Sequence, residues 1–385
     1  MRICRVANST FFLCHHLNDQ IRATVAAGHE VHLIASASSG LGEGRQDLLK
    51  LKGVYFHAID IRREISPIAD MCALIALFRY FMRVRFDIVH SVTSKGGLLT
   101  AVAGALALVP VRLHTFAGQP WANLTGPVRW IAKACDWLVA RLSTRCYADS
   151  SAQRRFLQVE GIAPSPRIHV LGAGSIAGVD LRRFSPARFE QAAIKAELLI
   201  AEGAKVVTFV GRVSVDKGIV ELVEAFERLG LISDIKTILL LVGPFETGRQ
   251  AVPAETIEAI ARNPNIRRIG YSDIPEKYLA VSDVFCLPSY REGFGSVVIE
   301  AAAMSVPAVV TGIFGLADAV VNGETGIFVP PYQAEELGRA LAKMLTDDSF
   351  RLRLGRAAQA RASQVFDAKV VNGYQIAEYE RLAGK

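Results

Sequence analysis

The sequence predicts an α/β protein built from two doubly wound parallel-sheet domains, and three observations predict it. The chain is 385 residues long, more than one ordinary domain and enough for two of equal size. Hydrophobic residues make up 51% and charged residues 21%, so both halves have apolar surface to bury and neither has the polar bias of a disordered segment. Short β-branched runs alternate with longer stretches of helical period, which is how consecutive βαβ units read.

In the first half the expected strands are Ile3–Ala7, Val31–Ala35, Val54–Ala58, Ile88–His90, Val111–Phe116 and Ile168–Val170, with helices between them. The first helix, near Leu17 to Ala27, is expected to end at Gly28, where a glycine can take the left-handed cap conformation. A second series begins with the run from Lys205 to Gly211 and continues through Thr237–Val242, Ile266–Ile269, Val284–Leu287, Val306–Thr311 and Gly326–Val329. Turn formers from Gly178 to Pro186 mark the join, and charged helical segments at Ala334–Leu345 and Phe350–Lys385 close the chain. The expected division is residues 1–180, 181–365, and a terminal helix at 366–385 that packs back on the first domain.

Charge is divided unequally between these halves. Residues 1–184 hold 22 Lys and Arg against 12 Asp and Glu, a balance of +10, while residues 185–385 hold 22 against 25, a balance of −3. A basic first domain suits an anionic partner such as phosphate groups or an anionic membrane surface. Nucleic acid is not expected, because the cations are scattered and no helix-turn-helix or zinc-finger signature accompanies them. The six cysteines show no C-x-x-C spacing and read as small core residues in a reducing, cytoplasmic compartment. Met1 leads directly into a strand-like run with no signal-peptide pattern, and Leu98–Val111 is too short to cross a bilayer. No Asp-x-Asp pair or His/Cys cluster of metal-ligand spacing is present, so no metal and no cofactor is expected.

Two motifs carry chemistry. The loop from Gly211 to Gly218 follows a strand and precedes an amphipathic helix at Ile219–Leu229. A glycine at the strand end lets backbone amides approach a ligand, and Arg212 and Lys217 supply a fork donor and a point charge suited to a diphosphate. A solvated turn is the alternative. The second motif runs from Pro288 to Ala303 and holds Glu292 and Glu300. If both glutamates sit on one helix, eight steps of about 1.5 Å separate them by roughly 12 Å, near the reach of a nucleoside diphosphate sugar. Amides at Gly293, Phe294, Gly295 and Ser296 would then face the phosphates, Glu292 the sugar hydroxyls and Glu300 the ribose. Glu300 lies in an apolar stretch, where a carboxylate needs a partner.

With these residues in view, the chain resembles the family-four retaining glycosyltransferases of the GT-B fold, two Rossmann-like domains facing a cleft. The resemblance runs nearly end to end: Gly-Arg-x4-Lys-Gly at 211–218, the Glu292/Glu300 pair, Pro307 with Val309 and Val310, Asn322 to Gly326 with Val329 and Pro330, and Phe366, Tyr374 and Tyr379. It implies that Arg212 and Lys217 bind the donor diphosphate, Glu300 the ribose and Glu292 the donor sugar, so that Glu292, Arg212 and Lys217 form the catalytic set. It further implies a nucleotide-sugar donor, commonly UDP-linked, metal-independent transfer and retention of anomeric configuration.

The stretches Val89–Gly97 and Gly172–Asp180 are similar to the branch that builds bacterial surface polysaccharides on polyprenyl-diphosphate carriers. A lipid-linked glycan acceptor and work at the inner face of the cell membrane follow as expectations. On this acceptor side, Lys95 and the amide of Gly96 could hold a phosphate or form an ordinary capped helix start, and Gln119 and Trp121 could shape the pocket or be buried. The segment Phe78–Phe86, with Arg79, Arg83 and Arg85, suits a membrane surface or the outer side of a packed helix. One departure stands out. Where many members carry Thr-x-His-Gly, this chain has Thr115, Phe116, Ala117 and Gly118, and His114 is at an odd offset from the missing histidine, which points it to the opposite strand face.

Two other readings share parts of this pattern. A nicotinamide-dependent oxidoreductase needs a Gly-x-Gly-x-x-Gly turn after the first strand, and Asn8 to Phe12 contains no glycine. A non-catalytic nucleotide-sugar-binding protein would keep the donor residues without transferring the sugar.

Overall fold

The computed structural model describes residues 1–37, 43–62, 64–232 and 235–384. Two compact units form: Met1–Gly178 together with the segment from Ala368 onward, and Val179–Asp367. The changeovers therefore fall at Gly178 and Asp367 instead of residues 180 and 365.

The first unit contains β1 (Arg2–Ser9), α1 (Thr10–His16), α2 (Asn18–Ala26), β2 (Glu30–Ser36), β3 (Val54–Ala58), α3 (Pro67–Val84), β4 (Ile88–Ser91), α4 (Ser94–Leu106), β5 (Val111–Phe116), α5 (Gly126–Leu142), β6 (Arg145–Ala148), α6 (Ser151–Val159) and β7 (Ile168–His169). Its parallel sheet has seven strands in the order β3-β2-β1-β4-β5-β6-β7. A parallel sheet covered on both faces needs strands that are apolar on both sides, and β1 meets this with Ile3, Cys4, Val6 and Ala7, all fully buried. Arg5 is buried in the middle of the same strand. Its guanidinium bonds to His90 Nδ1 at 3.0 Å and to the Tyr379 hydroxyl.

The second unit contains α7 (Gln191–Glu197), β8 (Lys205–Val210), α8 (Ile219–Ile232), β9 (Thr237–Val242), α9 (Ala254–Arg262), β10 (Ile266–Gly270), α10 (Pro275–Leu279), β11 (Val284–Leu287), α11 (Ser296–Ala303), β12 (Ala308–Thr311), β13 (Gly326–Val329), α12 (Ala334–Thr346) and α13 (Asp348–Val365). The six-stranded parallel sheet runs β10-β9-β8-β11-β12-β13. Its core is one continuous cluster around Val207, Phe209, Leu240, Phe285, Ile299 and Val309. The chain ends in α14 (Ala368–Leu382), whose buried Tyr379 packs with Ile3, Ile88 and Tyr147 of the first unit. There the Tyr379 hydroxyl lies 2.7 Å from His90 Nδ1.

Several sequence expectations are corrected. The helix expected near Leu17 to Ala27 is α2, which ends at Ala26 with Gly28 at φ 83, and an unanticipated short helix, α1, precedes it, starting at once after β1 with Ser9 capping the Phe12 amide at 3.3 Å. Strand β6 was not anticipated; four residues, Arg-Cys-Tyr-Ala, carry too little alternation to stand out after the apolar helix α5. Cys72 departs from the expected core placement and lies exposed on α3.

Candidate functional site

In each sheet the strand order reverses beside the first strand of its series, and in open α/β sheets ligands bind outside the carboxyl ends at that reversal. In the second unit the reversal lies between β8 and β11, which pair directly through Val284 with Val207 and Phe285 with Thr208. The loop after β8 is Gly211–Gly218, and the loop after β11 is Pro288–Gly295. Both sequence motifs therefore leave the sheet side by side.

Specific contacts then join the two loops. Lys217 Nζ lies 2.5 Å from Glu292 Oε1, and Ser289 Oγ donates to the same oxygen at 2.7 Å. The Tyr290 amide donates to the Asp216 carbonyl at 3.0 Å, and Arg291 reaches the Asp216 carboxylate at 3.5 Å. Gly218 makes this approach possible. It sits at φ 69, and a Cβ there would lie 2.1 Å from the Pro288 carbonyl oxygen, so only glycine fits both the conformation and the space. Arg212 pairs with Glu246 in the turn after β9 and lies 3.9 Å from Asp216. That turn is held to the loop by the Val213 amide donating to the Pro244 carbonyl at 2.8 Å.

Burial raises the affinity of Asp216 for a proton, but the Ser214 hydroxyl and the charges of Lys217, Arg212 and Arg291 together hold its carboxyl below the usual range. The site thus contains two carboxylates, Asp216 and Glu292, each matched to cations that a bound diphosphate would also attract. Asp216, Ser289 and Glu246 were not singled out from sequence. The one available signal was a carboxylate inside an otherwise cationic loop.

The geometry of the paired glutamates differs from the expectation. Glu292 is not on a helix: α11 begins at Ser296, because Gly293 and Gly295 interrupt the segment and Gly295 takes a left-handed conformation at φ 72. Glu292 therefore stands in the loop ahead of the helix, and a helical rise does not describe its separation from Glu300. Glu300 is half-buried in the first turns of α11. No side chain caps the N-terminus of α11, the positive end of the helix, where the Val298 amide donates to the Gly295 carbonyl at 2.8 Å. The Phe294 ring is buried against Phe366 with centroids 5.3 Å apart, so only its backbone can meet a ligand.

In the first unit the reversal lies between β1 and β4, and the acceptor-side candidates are distributed unevenly around it. Lys95 is not solvent-facing: it bonds to both carboxylate oxygens of Asp70 at 2.8 and 2.9 Å. The Gly96 amide donates to Asn8 Oδ1 at 2.9 Å. Trp121 is core: it is 1% exposed, donates to Asp136 Oδ2 at 2.7 Å and packs with Phe116 and Leu157. An indole fills that interior only because its N–H finds a carboxylate. Gln119 is fully buried as well and accepts from Gln153 Nε2 at 3.3 Å.

His114 is buried and bonded to Ser91 Oγ at 2.9 Å, and burial pushes its pKa down to about 3. It is a neutral interior histidine at physiological pH. Burial pushes the Asp149 carboxyl in the opposite direction, up to about 8. No helix among the described residues is long and apolar enough to cross a membrane, and none of their His, Cys, Asp and Glu side chains form a group of three or more suited to a metal ion.

Comparison with known proteins gives two family matches. Residues 190–361 match the model described as glycosyl transferases group 1, and residues 15–174 match the glycosyl transferase 4-like domain. The chain is 27% identical to the capsular polysaccharide biosynthesis glycosyltransferase CapM of Staphylococcus aureus, across 89% of this chain and 87% of that protein. It is also 27% identical to the UDP-Gal:alpha-D-GlcNAc-diphosphoundecaprenol alpha-1,3-galactosyltransferase of Escherichia coli, across 90% and 86%. Among solved structures, Anabaena Alr3699/HepE in complex with UDP and glucose shares the fold, with a TM-score of 0.79, 20% identity and 98% of both chains covered.

Proposed function

The chain belongs to the group 1 glycosyltransferases, and from that premise we propose that it moves a sugar from a UDP-linked donor to a polyprenyl-diphosphate-linked glycan, with retention of anomeric configuration, in bacterial surface-polysaccharide synthesis. The observation that carries this reading is the meeting of Lys217 and Glu292, 75 positions apart, at the reversal between β8 and β11. UDP in the Anabaena neighbour and a diphosphoundecaprenol-linked acceptor in the Escherichia coli relative support the choice of donor and acceptor classes.

In this mechanism the donor diphosphate lies over the Gly211–Gly218 loop and the α11 terminus. Arg212 and Lys217 turn from their carboxylate partners toward the phosphate oxygens, and their charge stabilises the departing UDP. Glu292, released from Lys217 but still held by Ser289, accepts hydrogen bonds from the sugar, and Glu300 accepts from the ribose. Two cations and a helix terminus meet the charge that a metal meets elsewhere, so transfer proceeds without one. The first unit takes the acceptor at the cytoplasmic face of the membrane.

Product analysis tests this reading. Incubation with a panel of UDP-sugars and a membrane lipid extract should add one hexose or N-acetylhexosamine to an extractable lipid, read by mass spectrometry, and EDTA should leave the yield unchanged. Release of free sugar alone, or transfer abolished by EDTA and restored by manganese, would count against it.

A further inference from the structure

The helices α3, α4 and α5 pack in sequence against one another. Each follows a crossover that steps in the same direction along the sheet, β3 to β4, β4 to β5 and β5 to β6, and right-handed crossovers place all three on one face. The outer side of that layer is apolar where a solvated layer would be polar. On α3, Ile68, Met71, Ile75 and Met82 are exposed and recur at helical spacing, forming one stripe along the helix. On α5, Trp130, Ile131 and Trp137 are 65%, 63% and 50% exposed. Beside α3, an open groove of about 680 Å³ is lined by Ile59, Ala69 and Ala76 together with the polar Asp60, Arg62 and Ser66.

Charge on this face is mainly positive, with Asp60 in the groove paired to Arg62 and Asp87 exposed just past α3. Arg79, Arg83 and Arg85 are exposed at the end of α3, and Arg129, Lys133 and Arg141 lie on α5. The acidic residue of α3, Asp70, is bonded to Lys95, and that of α5, Asp136, is buried against Trp121. Glu160, just after α6, is shared by Arg129 and Lys133. Exposed aromatic and aliphatic residues set among cations match the layered chemistry of an anionic bilayer, apolar below and phosphate above. A second copy of the chain is a poorer match, since a two-fold interface would bury this cation-rich patch against an identical one.

We propose that the outer face of α3 and α5 is the surface by which the protein docks on an anionic lipid bilayer, with Trp130, Ile131 and Trp137 at the acyl boundary and the α3 arginines on lipid phosphates. This rests on the lipid-linked acceptor proposed above and specifies which side of the first unit meets the membrane. Binding requires neither donor nor catalysis, so its failure and the failure of the transferase reading are separate results.

The chain supplies its own probe, because its three tryptophans are Trp121, which is buried, and Trp130 and Trp137, which are exposed. Vesicles of mixed phosphatidylglycerol and phosphatidylcholine should shift the emission to the blue and make it quenchable by brominated lipid. Phosphatidylcholine alone should do neither, and added salt should weaken the effect. The triple variant Ile75→Glu, Met82→Glu and Ile131→Glu should lower vesicle partitioning by at least about tenfold. Its UDP-induced thermal shift should match that of the wild type, showing that the variant is folded. Emission unchanged by anionic vesicles would overturn the proposal, as would a triple variant that binds vesicles normally but loses a concentration-dependent dimer.

Discussion

Lys217→Ala is expected to lower kcat by about a hundredfold, the scale seen when a group that stabilises developing charge is removed. Arg212→Ala should behave similarly. The two variants should differ in stability. Lys217 and Glu292 are only 17% and 13% exposed, so removing the lysine leaves a carboxylate in a partly desolvated place, at a cost of about 1–3 kcal/mol. Arg212 is 37% exposed and its loss should cost less. Adding Glu292→Gln to Lys217→Ala should restore most of the lost stability, because a neutral amide needs no counter-charge, while turnover stays low or falls further. Thermal midpoints and steady-state kinetics on the four proteins of this cycle separate the ion pair's part in folding from the cation's part in transfer. Recovery of turnover along with stability would assign Lys217 to the fold alone.

Gly218→Ala should be the most damaging conservative change in the donor loop. Its left-handed backbone costs about 1 kcal/mol for a non-glycine residue. The new methyl would also meet the Pro288 carbonyl at 2.1 Å, and relieving such a clash costs about 1–3 kcal/mol more. Together these predict a fall in thermal midpoint of about 5–10 °C for a unit of this size. The clash is relieved by moving the Gly211–Gly218 loop away from Pro288–Gly295, so kcat should fall as well. Gly203→Ala supplies the control, since Gly203 has φ 76 but nothing within 4 Å of its would-be Cβ. It should show the backbone cost and no kinetic defect. Equal midpoints and equal kinetics for the two variants would show that the loops do not depend on their close approach.

The residues that announce themselves in the sequence are those whose local pattern and final environment agree. Every expected strand of the second unit is present, because runs such as Thr237–Val242 are buried on both faces and so are apolar without interruption. Strand β6 is legible only through its neighbour: its hydrogen bonds to β5 define it, and its own four residues do not. At the proposed donor site, residue types and spacing identified Arg212, Lys217, Glu292 and Glu300 as candidates, but not the loop that carries Glu292. Gly293 and Gly295, whose amides were expected at the start of a helix that already holds Glu292, lie ahead of the point where the helix begins.

The first unit's candidates were harder to read for a physical reason. Lys95, Gln119 and Trp121 lie beside turns and a helix start that suggest exposure, and only the packed structure supplies Asp70, Gln153 and Asp136 as their partners. Those contacts join elements distant in sequence, and no local pattern encodes them. The apolar face of α3 and α5 illustrates the converse. The arginines at 79, 83 and 85 suggested a membrane contact from sequence, but the exposure of Trp130 and Trp137 became visible only once α5 had a buried side to contrast with it.

The proposed transfer requires a nucleoside diphosphate held over the loop that carries Arg212 and Lys217. Isothermal titration of UDP into the wild type and into the double variant Arg212→Ala, Lys217→Ala measures it directly. Saturable one-to-one binding is expected for the wild type. In the double variant the affinity should fall by about a hundredfold or more, as two charge-assisted hydrogen-bonding groups are lost. UDP binding of equal affinity in both proteins, with both still unfolding cooperatively, would place the donor elsewhere.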